Sequence, residues 1–385
     1  MKVLLDLKPL QGEDRYHGIG RVTYELSYRL IKKLDKPLAL ITNQNREIGA
    51  KLRKTFSEIN PYLNFEILHL EDFSLESSLT YELLLEWKVS QINPDVYFIF
   101  SFFEWDNPTS MKKLSNKWQN FVIAYDLIPY IFQDLYLDKE HFKVWYFRKL
   151  EEFKKADFFF ATSETTKEDL IKCLDIPEEK IIVIPLGCDE SFRHLSEKEL
   201  LESKRDLVNL GIKKDFILYV PSGFDPRKNI DRLIKAYSLL DKSLREKYQL
   251  VIASKIDELN LNKLKSYAKD LGVGDNVIFT GYVSNEILVK LYNLCSLFVY
   301  PSLYEGFGLP VLEASKCGAP VICSNNSAPK DIIQIKEALF DPYKIEEIAE
   351  KIHLALIDEN YRKLLAENAK KQSERFSWDI AVDII

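Results

Sequence analysis

The sequence predicts an α/β protein of two domains, each a mainly parallel sheet covered by helices, and three observations carry that expectation. The chain has 385 residues, too many for one ordinary core and suited to two domains of about 150 to 200 residues. Short apolar runs of strand composition alternate with amphipathic helical stretches, the pattern of helices crossing over a parallel sheet. A strand, a glycine-bearing loop and a helix follow one another around Gly18, Gly223 and Gly306, a geometry that offers main-chain N–H groups to a ligand.

In the first half the expected strands are 2–7, 38–42, 65–70, 96–101, 121–125, 157–162 and 180–184. After the first of them, Gly18-Ile19-Gly20 opens a helix to about Leu34. The third glycine of a dinucleotide fingerprint would fall at Thr23, so a nicotinamide cofactor is not expected. Tyr125-Asp126-Leu127-Ile128-Pro129 stands at the carboxyl end of a strand, where open parallel sheets bind ligands. A tyrosine hydroxyl donates to a phosphate oxygen but brings no positive charge at neutral pH. The plainer alternative makes Asp126 a turn cap and Tyr125 core. Thr162-Ser163-Glu164 reads as a helix cap.

From about 192 to 214 the sequence turns highly charged, and a linker is expected at 196–213 between a first domain, 1–195, and a second, 214–375. Strand 216–220 runs into Pro221-Ser222-Gly223-Phe224-Asp225-Pro226-Arg227-Lys228-Asn229 and then an amphipathic helix, 230–240. Adjacent cations at a helix start repel one another and the dipole unless an anion joins them, and a diphosphate would do so; the alternative is two solvated side chains on an exposed turn. Strands 250–254 and 277–280 follow, the second ending at Gly281-Tyr282-Val283-Ser284, a place for contacts to a base or for plain packing.

Tyr300 to Pro320 reads YPSLYEGFGLPVLEASKCGAP and lies between apolar runs 297–300 and 320–323. Pro310 suits the first turn of a helix and Gly318 its stop, giving roughly two turns. Free N–H groups and the positive dipole end at its start favour an anion. Glu305 and Glu313 flank that spot, unless Glu305 is merely a cap and Glu313 lies on a solvated face. The tail, 343–372, is helical by pattern.

Hydrophobic residues make up 46% and charged residues 29% of the chain, as in soluble globular proteins. A net charge of −6 disfavours nucleic acid as a partner. Five scattered cysteines suit reduced thiols in the cytoplasm rather than a disulfide scaffold. The start meets Asp6 too soon for a signal peptide, and no run approaches the roughly 18 apolar residues of a membrane span. Five histidines show no His-x3-His spacing, and Asp-x-Asp is absent, so no metal and no cofactor are expected. Cations recur at Arg29, Lys32, Lys33, Lys36, Lys51, Arg53 and Lys54, and at Lys112, Lys113 and Lys117. They read as a solvated face or as patches that dock on an anionic membrane.

The 300–320 string resembles the acidic donor-sugar motif of the retaining family-4 glycosyltransferases. Pro-Arg-Lys-Asn at 226–229 resembles that family's phosphate-binding loop, with Phe224 where many members carry Arg. Gly18 to Arg21, GIGR, resembles its loop over the donor diphosphate, and Gly281 to Ser284 its base-contacting turn. Tyr125 to Pro129 resembles a His-Asp-Leu-Ile-Pro segment with Tyr in place of His, and Pro185 to Asp189 resembles a turn at the domain edge. Phe376-Ser377-Trp378-Asp379 resembles the closing helix, 376–385 here, that in the family returns to the first domain; Ile385 is early for its end.

The resemblance covers nearly the whole chain and is strongest from Asp215 to Pro342. It implies the GT-B arrangement, two Rossmann-like domains facing across a cleft. It also implies transfer of a hexose from a nucleotide sugar, GDP-mannose-like, to a hydroxyl of a glycan or lipid-linked saccharide with anomeric retention. The implied donor contacts are Glu313 on the ribose, Arg227 and Lys228 on the diphosphate, and Glu305 with the amides of Gly306, Phe307, Gly308 and Leu309 on the sugar. Gly18, Gly20, Ser222 and Gly223 line the donor, Tyr282 and Val283 the base, and Tyr125 and Asp126 the acceptor side. Arg227, Lys228, Glu305 and Asp126 are the implied catalytic set, with cations and amide dipoles replacing a metal at the leaving diphosphate. Rival readings are a nucleotide-sugar epimerase or phosphorylase on the same plan, or, given Tyr125 and Phe224, a catalytically silent sugar-nucleotide-binding subunit. The family implies polysaccharide or lipopolysaccharide synthesis in the cytoplasm or on the inner membrane face.

Overall fold

The computed structural model describes all residues except 13–17, 71–77, 106–107, 115–117 and 222. The chain forms two compact units, Met1–Leu186 together with Trp378–Ile385, and Gly187–Ser377.

The first unit holds seven strands, β1 (Val3–Asp6), β2 (Leu38–Thr42), β3 (Asn64–Leu68), β4 (Val96–Ile99), β5 (Gln119–Ala124), β6 (Phe158–Ala161) and β7 (Ile181–Val183). They are ordered β3-β2-β1-β4-β5-β6-β7, every pair parallel. The register puts Leu5 level with Ala39 on one side and Phe98 on the other. β1, β2 and β4 are buried at every position, which is why they read as unbroken apolar runs rather than alternating ones: helices cover both faces. β3, at the edge, is only partly buried. The many aromatics pack beside the sheet, Phe102, Phe103, Tyr146, Phe153 and Phe159 in successive ring contacts.

Lys8 and Asp6 are among the charges buried inside this unit. Lys8 Nζ lies 3.5 Å from Asp6 Oδ2 and donates to Pro108 O at 3.3 Å and Thr109 Oγ1 at 3.1 Å. Tyr97 donates its hydroxyl to Asp6 at 2.7 Å. Buried ions persist only when paired and hydrogen-bonded in this way.

The second unit holds β8 (Asp215–Tyr219), β9 (Tyr248–Ile252), β10 (Val277–Phe279), β11 (Leu297–Tyr300), β12 (Val321–Ser324) and β13 (Leu339–Phe340), ordered β10-β9-β8-β11-β12-β13 and again parallel throughout. β13 has no counterpart in the expected strands, since two residues are too short to show a period. Both sheets reverse direction beside their first strand, between β1 and β4 and between β8 and β11, and such switch points open a crevice at the carboxyl ends of the strands.

The expected linker at 196–213 is instead a helix of the second unit, Glu197–Val208. Ser196 and Glu199 close a capping box at its start, Leu207 is buried, and Asp206 pairs with Lys290 of helix Asn285–Leu294 at 2.8 Å. Its charges are the outer face of an amphipathic helix, and Ser-x-x-Glu is the capping signal that composition alone passes over. The boundary between units therefore falls at Leu186–Gly187 rather than near residue 195. Helix Trp378–Ile384 belongs to the first unit, where Asp379 pairs with Arg29 at 3.0 Å and Asp383 with Lys33.

Gly318 ends helix Leu309–Lys316 with φ +83°, and a Cβ there would stand 3.1 Å from His194 Nδ1. Gly318→Ala is expected to destabilise the second unit by about 1–3 kcal/mol, the left-handed penalty plus the displaced imidazole. Urea denaturation of the two proteins measures this directly.

Candidate active site at the switch point of the second unit

The loops that leave β8 and β11, the neighbours at the switch point, meet. After β8 the chain makes a short 3-10 turn, Pro226–Lys228, capped by Asp225, whose carboxylate accepts from Arg227 N at 2.8 Å. Asn229 then takes a left-handed conformation, φ +61°, and helix Ile230–Ser238 begins. Asn229 is fully buried and donates through Nδ2 to Pro301 O and Pro342 O, both at 2.9 Å. Leu303 N donates to Arg227 O at 2.7 Å, so the two loops are stitched through the main chain as well.

Their side chains converge on one carboxylate. Lys228 Nζ stands 2.6 Å from Glu305 Oε1 and Arg227 Nη1 2.8 Å from Glu305 Oε2. Tyr300 donates to Oε1 at 3.1 Å, and the Arg227 guanidinium also donates to Tyr304 O. Lys228 is 3% exposed and Glu305 8%. Burial by itself would raise the Glu305 carboxyl, but the Lys228 charge and then the Arg227 charge outweigh it and hold the group at about 2. Burial pulls the Lys228 ammonium below the ordinary lysine range, and Glu305 opposes that shift. Asp225 completes the cluster, its Oδ1 4.0 Å from Arg227 Nε, so two basic side chains meet two carboxylates here. Glu305 is thus the anion that joins the adjacent cations, a part for which the sequence alone suggests only a diphosphate.

Beyond Glu305 the chain runs through the buried residues Gly306 and Phe307 to Gly308, whose φ of +109° caps helix Leu309–Lys316. The half-buried Leu309 and Pro310 form its first turn, as the proline predicts. Glu313 lies on the inner face of this helix, 5% exposed, and accepts from the buried Tyr292 hydroxyl at 3.0 Å; the solvated-face alternative does not hold for it. Gly223 has φ +83° and donates to Ser254 Oγ at 3.0 Å, whereas Ser222 lies outside the described residues. Tyr282 is 79% exposed, so it is not core, and Val283 beside it is half-buried.

Residues 203–372 match the family described as Glycosyl transferases group 1, and residues 16–192 match Glycosyltransferase Family 4. The chain is 32% identical to the serotype-specific mannosyltransferase WbdA of Escherichia coli over 98% of its own length and 46% of that protein's. The chain belongs to glycosyltransferase family 4. It is also 30% identical to the O-antigen chain mannosyltransferase B of Escherichia coli over 60% of its length and 59% of that protein's. The chain thus spans about half the length of these relatives. Among solved structures, HepE of Anabaena with UDP-glucose superposes over 100% of this chain and 97% of that one, with a TM-score of 0.70 and 16% identity. WaaG, a glycosyltransferase of lipopolysaccharide biosynthesis, superposes over 99% and 97%, with a TM-score of 0.69 and 17% identity. These likenesses establish the expected GT-B class of the α/β fold.

In this family-4 chain the remaining expected residues lie in the first unit. Gly18 and Gly20 form the first turn of helix Gly18–Lys33; the loop before them, His17 included, lies outside the described residues. Tyr125 ends in a buried hydroxyl close to Thr23 and Glu104, and burial pushes that phenol far up, Thr23 opposing, so it is neutral. Asp126 accepts from Ile128 N at 3.0 Å and so turns the chain into helix Ile128–Ile131. Ser163 caps helix Glu164–Leu174 through Thr166 N.

The cation patches are partly neutralised: besides Arg29 and Lys33, Lys113 pairs with Asp157 at 2.6 Å and Lys112 with Glu86 at 3.8 Å. Lys117 lies outside the described residues. Among the described residues no group of three or more His, Cys, Asp or Glu side chains is placed to hold a metal ion.

Four residues that organise the site are not singled out by the sequence. Asn229 latches the cationic turn; Tyr300 holds Glu305; Tyr219 donates to Lys228 O at 2.7 Å; Ser327 accepts from Glu305 N at 3.1 Å. The readable signal is a tyrosine ending each switch-point strand, β8 and β11, where an apolar run would otherwise continue.

Proposed function

We propose that this chain transfers a hexose, mannose being the first candidate, from a nucleotide sugar to a hydroxyl of a growing glycan or lipid-linked saccharide, with retention at the anomeric carbon. The observation that carries the reading is the pairing of Lys228 and Arg227 with one buried carboxylate at the switch point. Both basic side chains hold a doubly charged leaving diphosphate as charge develops on its departure. Glu305 keeps Lys228 and Arg227 in place before the donor arrives and takes hydroxyls of the sugar. The amides at the start of helix Leu309–Lys316 face the same ligand, and Glu313 receives the ribose hydroxyls. Asn326 supports a hydroxyl-rich ligand: its Nδ2 donates to Leu303 O at 2.6 Å, and its Oδ1 is buried with no partner among the described residues.

No side-chain nucleophile is assigned. The departing phosphate oxygen accepts the proton of the attacking hydroxyl on the same face of the sugar, which is how retention arises, and Asp126 and Tyr125 stand on the acceptor side. The names of WbdA and mannosyltransferase B support mannose and O-antigen synthesis as the setting, and the HepE complexes support a nucleotide-sugar donor. A metal-independent reaction at the cytoplasmic face of a membrane follows from the same reading. No helix among the described residues is long and apolar enough to cross a membrane.

The test is a panel of nucleotide sugars with saccharide acceptors, products followed by proton NMR and repeated with chelator. The reading expects an α-linked product from an α-linked donor, undiminished by chelation. Donor consumed without acceptor would make the chain an epimerase, and donor bound but never consumed would make it a silent binding subunit.

A further inference from the structure

A second concavity lies in the first unit, lined by none of the residues placed at the candidate active site. It is a cavity of about 240 Å³ lined by Thr42, Asn43, Arg46, Gly49, Arg53, Ile67 and His69. Its floor is the carboxyl ends of β2 and β3, and its wall is helix Arg46–Ile59. Residues 46, 49 and 53 share one face of that helix, and Gly49 keeps the wall open. A Cβ at 49 would come 3.4 Å from Gln11 Nε2, the group that clamps the end of β2 by donating to Thr42 O at 3.0 Å while its Oε1 accepts from Thr42 N at 2.7 Å.

Three features of the lining point one way. Among the described residues two arginines and a histidine contribute to it and no carboxylate does. Asn43 Oδ1 accepts from Leu70 N at 2.8 Å, which fixes the amide. Its Nδ2 is then a buried donor with no partner among the described residues. The Arg53 guanidinium and an orphaned amide around a small void are donors in want of an acceptor, and tetrahedral oxyanions satisfy such sets through several bonds at once. The volume is below the roughly 300–1,000 Å³ of sites that take a whole organic ligand, so it suits a charged group rather than an entire sugar nucleotide.

We propose that this cavity is a binding site for a phosphate group, held by Arg53, Arg46, His69 and the Asn43 amide, and separate from the diphosphate site of the second unit. Assigning that phosphate to the acceptor rests on the transferase reading; the site itself does not. The phosphate arrives on a soluble sugar phosphate or on a lipid headgroup, and the experiment separates the two.

Inorganic phosphate and a hexose 6-phosphate are titrated by calorimetry into the full chain at fixed ionic strength. A saturating nucleoside diphosphate fills the other site. Vesicles of phosphatidylcholine with phosphatidic acid are tested in parallel by co-sedimentation. The Arg53→Gln, His69→Gln double variant is expected to bind at least about tenfold more weakly, with nucleoside diphosphate affinity and unliganded unfolding midpoint unchanged; Arg53→Lys recovers part of the loss. Binding of the soluble ligands, lost in the double variant, assigns a soluble phosphate, and vesicle binding alone, lost likewise, assigns a lipid one. Equal affinity in wild type and variant, or no binding of any of the three, overturns the site. Should no nucleotide sugar be turned over while phosphate binding is still lost in the variant, the transferase reading falls and this site stands.

Discussion

Lys228→Ala is expected to lower nucleotide-sugar turnover by about 100- to 1,000-fold, the loss found when one preorganised charge is removed from a developing oxyanion. The effect falls on kcat more than on KM, because the ammonium matters most as the diphosphate gains charge on leaving. The fold survives the change. Glu305 retains Arg227 at 2.8 Å and Tyr300 at 3.1 Å, and Lys228 O still accepts from Tyr219, so the turn is held by its main chain. Initial-rate kinetics of nucleoside diphosphate release, beside a thermal melt, separate the two consequences. Wild-type turnover in the variant would remove Lys228 from the chemistry altogether.

Glu305→Gln acts in the opposite sense, on stability first. It leaves Lys228, 3% exposed, beside Arg227 without its carboxylate, Asp225 at 4.0 Å from Arg227 being the counter-charge that remains, a loss of about 3–5 kcal/mol for a broken buried pair and roughly 10 °C in the melting of a unit this size. A bound diphosphate restores the missing negative charge, so the variant is expected to gain more melting temperature from nucleoside diphosphate than the wild type does. The pH dependence has a definite sign. The Glu305 carboxyl is held at about 2 against an ordinary 4.5, so it takes up its proton more readily in the unfolded chain. Its stabilisation, on the order of 3 kcal/mol, is fully present above about pH 4.5 and is lost as pH falls toward 2. Melting temperatures of wild type and Glu305→Gln should converge over that window. A constant gap down to pH 2 would show that the carboxylate contributes shape and not charge.

Much of this site is legible in the sequence because its chemistry is local. Gly308, Pro310 and Gly318 each mark a backbone event within a few residues, and β2 and β11 match the expected 38–42 and 297–300 because full burial leaves an unbroken apolar run. What stays hidden depends on distance along the chain. Nothing near Arg227 announces that its counter-ion is Glu305, whose other partner, Lys228, is 77 positions away, nor that Asn229 reaches the main chain at Pro301 and Pro342. The segment 196–213 misleads for a different reason: its charge density is conspicuous and the capping box inside it is not. The cavity beside Thr42 draws on two strand ends and a helix face, and no window of sequence contains it.

Helix Trp378–Ile384 is joined in space to the portion of the chain made first, against helix Gly18–Lys33, although the whole of Gly187–Ser377 intervenes. A ribosome releases the intervening unit before it releases the piece that completes its predecessor. The amino-terminal unit therefore keeps one flank uncovered until residues 378–385 emerge, while Gly187–Ser377 is delivered in a single uninterrupted pass.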